Sequence, residues 1–358
     1  MAGMKRFGFW VPAVILAATL LAAAAACNCE GSAPSNDEAV SQSEQTADAG
    51  ELIVYSGRSE SLVGPIIEQF ENATGVKVSV KYGGTGEIAA TLLEEGDNTP
   101  ADVFFAQDPG GLGAVSQAGM LGTVSDELLE QVPEWAQSGD GLWVGISGRA
   151  RTVVYNTETV DPADLPATLE GFTNPVWSGR IGWAPTNGSF QAMVTAMRVM
   201  WGEQRTRDWL TGIQSNNPTV YPKNTPIVAA TAAGEVEVGF VNHYYLHRFL
   251  AEEGEGFTAR NHHLSGGGPG TLILVAGAGI LAGADNQTNA ELFIDFLLST
   301  VSQQYFASQT FEYPLVEGVT LSRLLTASTD INIPDIDMAD LADLAGTQAM
   351  LRDLGINP

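Results

Sequence analysis

Two tyrosines, Tyr244 and Tyr245, stand side by side in the run VNHYYLHRF, residues 241–249, with His243 before them and His247 after. Phenols and imidazoles both bind metals, but different ones. A phenolate is a hard, anionic oxygen and suits a hard, highly charged ion. A free phenol ionises near pH 10, so only a strongly charged cation holds two or three of them as phenolates at neutral pH. Ferric iron is the obvious candidate. Imidazoles suit zinc, and His243 and His247 lie one helical turn apart. However, no Asp or Glu stands at useful spacing beside them, and His262 and His263 fall in a glycine-rich loop. A reading without chemistry is also open, in which Tyr245 and Phe249 simply pack in a core.

The elements around the pair set what it can reach. VEVGFVN, just before it, reads as a strand, and Asn242 reads as the N-cap of the next helix. Tyr244 and Tyr245 then occupy the first helical turn. That corner also offers free backbone N–H groups and the positive end of the helix dipole, which favour anions. One spot can therefore host phenolate oxygens and a small anion together.

Further upstream, 51–57, 76–84 and 101–107 read as strands and 59–75 and 86–96 as helices. This alternation predicts a parallel sheet with helices on both faces, and ligand sites beyond the carboxyl ends of its strands. Those ends carry YSGRSE, YGGTGE and AQDPGG. Residues 146–156, ISGRARTVVYN, form a long strand with Arg149, Arg151, Val153 and Tyr155 on one face. A second set of strands and helices follows, and the apolar strand 270–284 crosses back. The fold class is α/β: a two-lobed clamshell of mixed, mainly parallel sheets flanked by helices and joined by two hinge strands. Residues 51–150 with 280–358 form the first lobe and 151–279 the second. Hinge closure around a ligand suits this geometry.

Composition narrows the function. The 358 residues carry a formal charge of −26 and are 44% hydrophobic, so a sizeable core is available and nucleic acid is not a partner. The only cysteines are Cys27 and Cys29, which excludes disulfides, thiolate metal sites and cysteine nucleophiles from the body. Lys5 and Arg6 precede an apolar run that ends in AAAC. This reads as an export signal over 1–26, resembling a lipoprotein signal with Cys27 as the lipidated residue. Residues 27–50 are polar and acidic and read as a flexible tether. The body is then expected outside the cytoplasm, in the periplasm or on the cell surface. GGTGE and SGGGPG do not run into Gly-Lys-Ser/Thr, and there is no G-x-S-x-G elbow, so an enzyme is not expected.

Five segments, VYSGRSESLVGPIIEQFENATGVKV, EEGDNTPADVFFAQ, GRIGWAPTNGSFQAMV, VYPKNTPIV and VNHYY, occur in order. Together they resemble the ferric-iron-binding proteins of bacterial ABC importers. The resemblance implies a monomeric periplasmic-binding-protein fold that hands ferric ion to a membrane permease. Many such proteins have a His where this chain has Ser59 and a Glu where it has Gln107. Others use a third tyrosine at the end of an RxRxxxY strand, here Tyr155. The resemblance thus implies Tyr155, Tyr244 and Tyr245 as metal ligands; Tyr82, which ends a strand at the cleft edge, is a competing third phenolate behind Tyr155. It places a synergistic carbonate, bicarbonate or phosphate on Asn187, Gly188, Ser189, Asn224 and Asn242, with Arg58 and Arg151 as charge partners. Two other readings stay open: a receptor for a small organic or phosphorus-containing anion without metal, and an exported metal-dependent enzyme.

Overall fold

The computed structural model describes residues 49–357; the expected signal, the lipidation site Cys27 and nearly all of the expected tether lie outside the described residues. Among the described residues no helix is long and apolar enough to cross a membrane.

The first lobe begins with β1 (Glu51–Ser56), α1 (Glu60–Thr74), β2 (Lys77–Tyr82), α2 (Thr85–Glu95) and β3 (Val103–Ala106). β1 pairs in parallel with both β2 and β3. β3 is buried throughout, as its unbroken apolar run predicts, while β2 alternates between half-buried and exposed as an edge strand does. α1 stops at Gly75, whose φ of 78° needs the left-handed region that glycine enters freely. α3 (Pro109–Gln117) follows, capped by the Asp108 side chain, and then α4 (Asp126–Leu129).

The long strand β4 (Val144–Asn156) leads into the second lobe, made of β5 (Ile181–Trp183), α5 (Gly188–Trp201), α6 (Glu203–Ser215), β6 (Thr219–Val220), α7 (Asn224–Ala232), β7 (Val238–Asn242), α8 (Tyr244–Glu253) and β8 (Ala259–His262). The chain returns through β9 (Ile273–Ile280), followed by α9 (Gln287–Leu298), α10 (Thr300–Gln309), β10 (Tyr313–Pro314) and α11 (Leu344–Asp353).

β4 belongs to both lobes. Up to Ala150 it pairs antiparallel with β9; from Arg151 onward it pairs antiparallel with β7 and β8. The switch falls between Ala150 and Arg151, so the Arg149 and Arg151 side chains emerge where the lobes meet. Parallel pairing is kept within each lobe, between β1 and its neighbours and between β5 and both β6 and β7. The crossing strands add the antiparallel part.

Each lobe has its own core. Val54, Phe70, Phe104, Ile146 and Phe293 pack in one cluster, and Phe172, Phe190, Trp209 and Phe240 in another. The expected first-lobe segment 280–358 divides between them. α9 and α10 pack with the first cluster through Phe293 and Phe306, and Leu341 also belongs there. Met350 and Leu351 on α11 are buried in the second cluster instead. Arg198 Nη2 on α5 donates to Asp343 Oδ2 at 2.8 Å, and the Thr195 and Thr347 hydroxyls are 2.7 Å apart. The chain end is thus a strap over both lobes. Nothing in the local pattern of 344–353 distinguishes which lobe receives its apolar face.

Candidate anion and metal site in the cleft

α8 starts one residue later than the capping pattern suggests. His243, in helical geometry, occupies the N-cap position and makes no side-chain cap bond. Asn242 ends β7 opposite Arg151, and its Oδ1 accepts from Arg151 Nη1 at 2.8 Å. Its side chain serves the cation across the ladder rather than the helix N–H groups.

Tyr244 and Tyr245 stack with ring centroids 4.2 Å apart. Tyr244 is fully buried, and among the described residues its hydroxyl has no hydrogen-bond partner. Tyr245 is half-buried and borders a cavity of about 700 Å³ in the cleft. A buried phenol without a partner is costly unless something else meets it.

Three arginines surround the pair, and all three are buried: Arg58, Arg149 and Arg151. Arg58 Nη2 donates to Glu312 Oε1 at 2.5 Å, and Ser147 Oγ donates to the other oxygen of that carboxylate. Glu312 follows Phe311, a non-glycine residue held at φ 56°. Arg149 Nη2 reaches only the Val275 carbonyl, at 3.3 Å. Arg151 rests on neutral groups, Asn242 and the Ser189 hydroxyl at 3.5 Å. Further N–H groups on all three guanidiniums are buried without partners. Burying cations on such terms is expensive, which makes the place a candidate functional site.

The electrostatics agree. Burial pushes the Tyr244 phenol well above its ordinary range, a charge on Tyr245 adds to this, and Arg149 and Arg58 oppose it. Burial pulls Arg151 down to about 9, with Tyr245 supporting its charge and Arg149 opposing it. It remains a cation at neutral pH. For Arg58 burial also opposes the charge, but Glu312, Tyr244 and Tyr245 outweigh it and the pKa rises.

On the second lobe the expected anion residues form one network. Asn187 caps α5, its Oδ1 accepting from Ser189 N at 3.2 Å and from Ser189 Oγ at 2.6 Å. Asn224, the first residue of α7, donates from Nδ2 to Asn187 Oδ1 at 3.1 Å. Arg151 and Asn242 close the group. Asn242 Nδ2 and Asn224 Oδ1 stay buried and unpartnered. Gly188 opens α5 beside them, at the positive end of its dipole.

The structure does not bring Tyr155 to the pair. It shares a face with Arg151 as expected, but lies opposite Val238, four residues further along the ladder, roughly 13 Å at 3.3 Å per residue. There the ring packs edge-on to His262 and against the second core. Tyr82 packs against the first core and is likewise absent from the cavity lining. Ser59 and Gln107 do line the cavity.

His243 is engaged with the backbone, while His247 Nδ1 and His263 Nδ1 are buried without hydrogen-bond partners among the described residues. His243 Nδ1 accepts from Ala150 N at 3.1 Å and its Nε2 donates to Phe311 O at 2.7 Å. Among the described residues no group of three or more His, Cys, Asp or Glu side chains could hold a metal.

Sequence reading missed Glu312, Asp108 and the rim cations Lys223 and Arg248; the last three line the cavity. The RARTVV alternation puts Arg149 on the Arg151 face without giving it a role, and nothing in sequence could place Glu312 on Arg58, 254 residues away.

A two-lobed α/β protein with a polar cleft at the hinge is a solute-binding architecture. The model of the bacterial extracellular solute-binding proteins matches residues 65–333, and the chain belongs to that family of transport proteins, which bind solutes and are not enzymes. The Fe(3+)-binding periplasmic protein of Serratia marcescens is 30% identical over 83% of this chain and 88% of its own length. The crystal structure of iron-bound HitA from Pseudomonas aeruginosa superposes with a TM-score of 0.82 at 32% identity, covering 85% of this chain and 99% of that one. A Trichodesmium protein in complex with iron and citrate gives 0.76 at 26% identity, covering 86% and 100%. The resemblance carried by the five sequence segments therefore extends over the described body.

Proposed function

We propose that the protein captures ferric ion outside the cytoplasm through the phenolates of Tyr244 and Tyr245, together with a small anion, and passes it to an ABC permease. The observation that carries this reading is the stacked pair itself, one phenol buried without a partner, set among three buried arginines that have a single strong carboxylate partner in Glu312. Two phenolates and the neighbouring guanidiniums support each other's charge once iron replaces the phenol protons. Carbonate or phosphate fits the second-lobe network of Asn187, Ser189, Asn224 and Asn242, with Gly188 giving close approach and Arg151 and Arg58 supplying charge. Tyr155 is not part of this reading, because it lies down the ladder from the pair.

The body works as a monomer anchored by lipid on Cys27, which mass spectrometry of the mature N-terminus tests. The iron reading is tested by adding ferric ion and bicarbonate to the stripped protein. A ferric–phenolate absorption band in the visible is expected, and Tyr244→Phe and Tyr245→Phe should each abolish or strongly weaken it. A protein that stays colourless, or variants that load iron as the parent does, would overturn it.

A further inference from the structure

Two carboxylates line the cleft cavity. Glu87 is exposed and folds back to accept from Gly84 N at 3.3 Å. Asp108 is different: it is only 5% exposed, although among the described residues no arginine or lysine makes an ion pair with it. Its Oδ1 caps α3, accepting from Gly111 N at 3.4 Å. Its Oδ2 looks the other way, across the cleft. A methyl group placed on Gly188, the first residue of α5, would come within 3.2 Å of that oxygen. The carboxylate of the first lobe therefore faces the N-terminus of a 14-residue helix on the second. The same end of α5 carries an independent mark of a ligand position. Arg151 Nε and Nη2 and Asn242 Nδ2 are buried there as donors without acceptors.

We infer that Asp108 is a tethered anion, which stands over the N-terminus of α5 when the lobes meet and supplies from within the chain a negative charge that a free anion would otherwise bring. The inference rests on the ferric reading above, and at the N-terminus of α5 it puts Asp108 in the place of the free anion. Helix N-terminal N–H groups and the dipole favour a carboxylate as they favour carbonate or phosphate. A carboxylate fixed to the first lobe has already lost the translational freedom that a free anion must give up. It also links the lobes directly, so that closure and charge balance become one event. Burial works against the charged form of Asp108, while Arg149 and the Gly110, Gly111 and Thr85 donors favour it. Glycine at 188 leaves room for that approach, since a Cβ would crowd the carboxylate oxygen.

The experiment compares the parent protein with Asp108→Asn and Asp108→Ser in buffer freed of bicarbonate and phosphate. Both replacements keep a side chain that can cap α3, so the fold has no reason to fail. Ferric ion is added stepwise and the visible band is read, then bicarbonate is titrated in. The parent should load iron with little dependence on bicarbonate. The two variants should load at least about tenfold more weakly without it, and recover to within about threefold when bicarbonate saturates. Equal bicarbonate dependence in parent and variants would overturn the inference while leaving the ferric reading intact. A parent that never develops the band, with or without bicarbonate, overturns the ferric reading and this inference with it.

Discussion

The two sides of the cleft hold their arginines on opposite terms. On the first lobe Arg58 is matched by Glu312, and that carboxylate is satisfied again by Ser147. On the second, Arg151 is cradled by the neutral Asn242 and Ser189, with no carboxylate against it. Both guanidiniums are buried to a similar degree. The first arrangement is a neutralised ion pair, although Arg58 Nε and Nη1 stay without partners. The second is a cation held in place but unneutralised, which is what a receiver for anions requires. Burial alone would have ranked the two as equals; partner chemistry separates them.

The comparison breaks most visibly at Glu312. Glu312→Gln leaves Arg58 buried and unpaired, and should cost about 3–5 kcal/mol of stability. A urea unfolding curve checks this, and a loss below about 1 kcal/mol would mean that the pair is not structural.

Arg151→Met tests the other side. The urea midpoint should hold or rise, because an unneutralised buried cation is replaced by an apolar chain of similar length. Ferric loading, read by the visible band, should meanwhile weaken on the order of a hundredfold. A variant that unfolds as easily as Glu312→Gln while binding normally would invert the assignment of the two sides.

Acid should act through histidines on the far side of the tyrosine helix. Burial, then the neighbouring His263, pulls His247 from 6.5 to about 4, and burial, then His262, does the same for His263. Both rings are held neutral in the folded protein, so between these values the unfolded chain binds more protons. Their contribution to stability is complete above about pH 6.5 and is lost as pH falls toward 4. Urea midpoints measured from pH 7 to 4.5 should decline through that window, and His263→Gln should flatten the decline. An equal slope in both proteins would assign acid sensitivity elsewhere.

The smallest effect is expected at Tyr155. Tyr155→Phe should leave the visible band within about twofold of the parent and change stability by less than about 0.5 kcal/mol. Loss of the band would restore this residue to the site and require the lobes to rearrange on loading.

Much of this was legible before the chain was folded. The alternation of strand and helix over 51–107 marked a parallel α/β lobe, and β1 to β3 follow it. The RAR spacing in β4 marked a face that carries two cations, and the YY pair marked the start of a helix. Period and capping are local, so a short window contains them. Tyr155 shows where local reasoning stops. It lies on the face that period two assigns, yet by that point in β4 the second lobe's core covers the face. Asn242 shows the same limit: a good capping residue was claimed by an arginine across the ladder.

The sequence by itself determined the class of chain, its acidic and cysteine-free body, the two-lobed pattern and the residue types able to bind a hard cation and an anion. Only the tertiary structure decided which of those residues meet. Glu312 reaches Arg58, Asp108 turns toward Gly188, and α11 packs its apolar residues into the second core. Each of these contacts joins segments far apart in the chain. Their partners are set by how the lobes pack and where β4 changes sheet, and no periodicity within one segment records that.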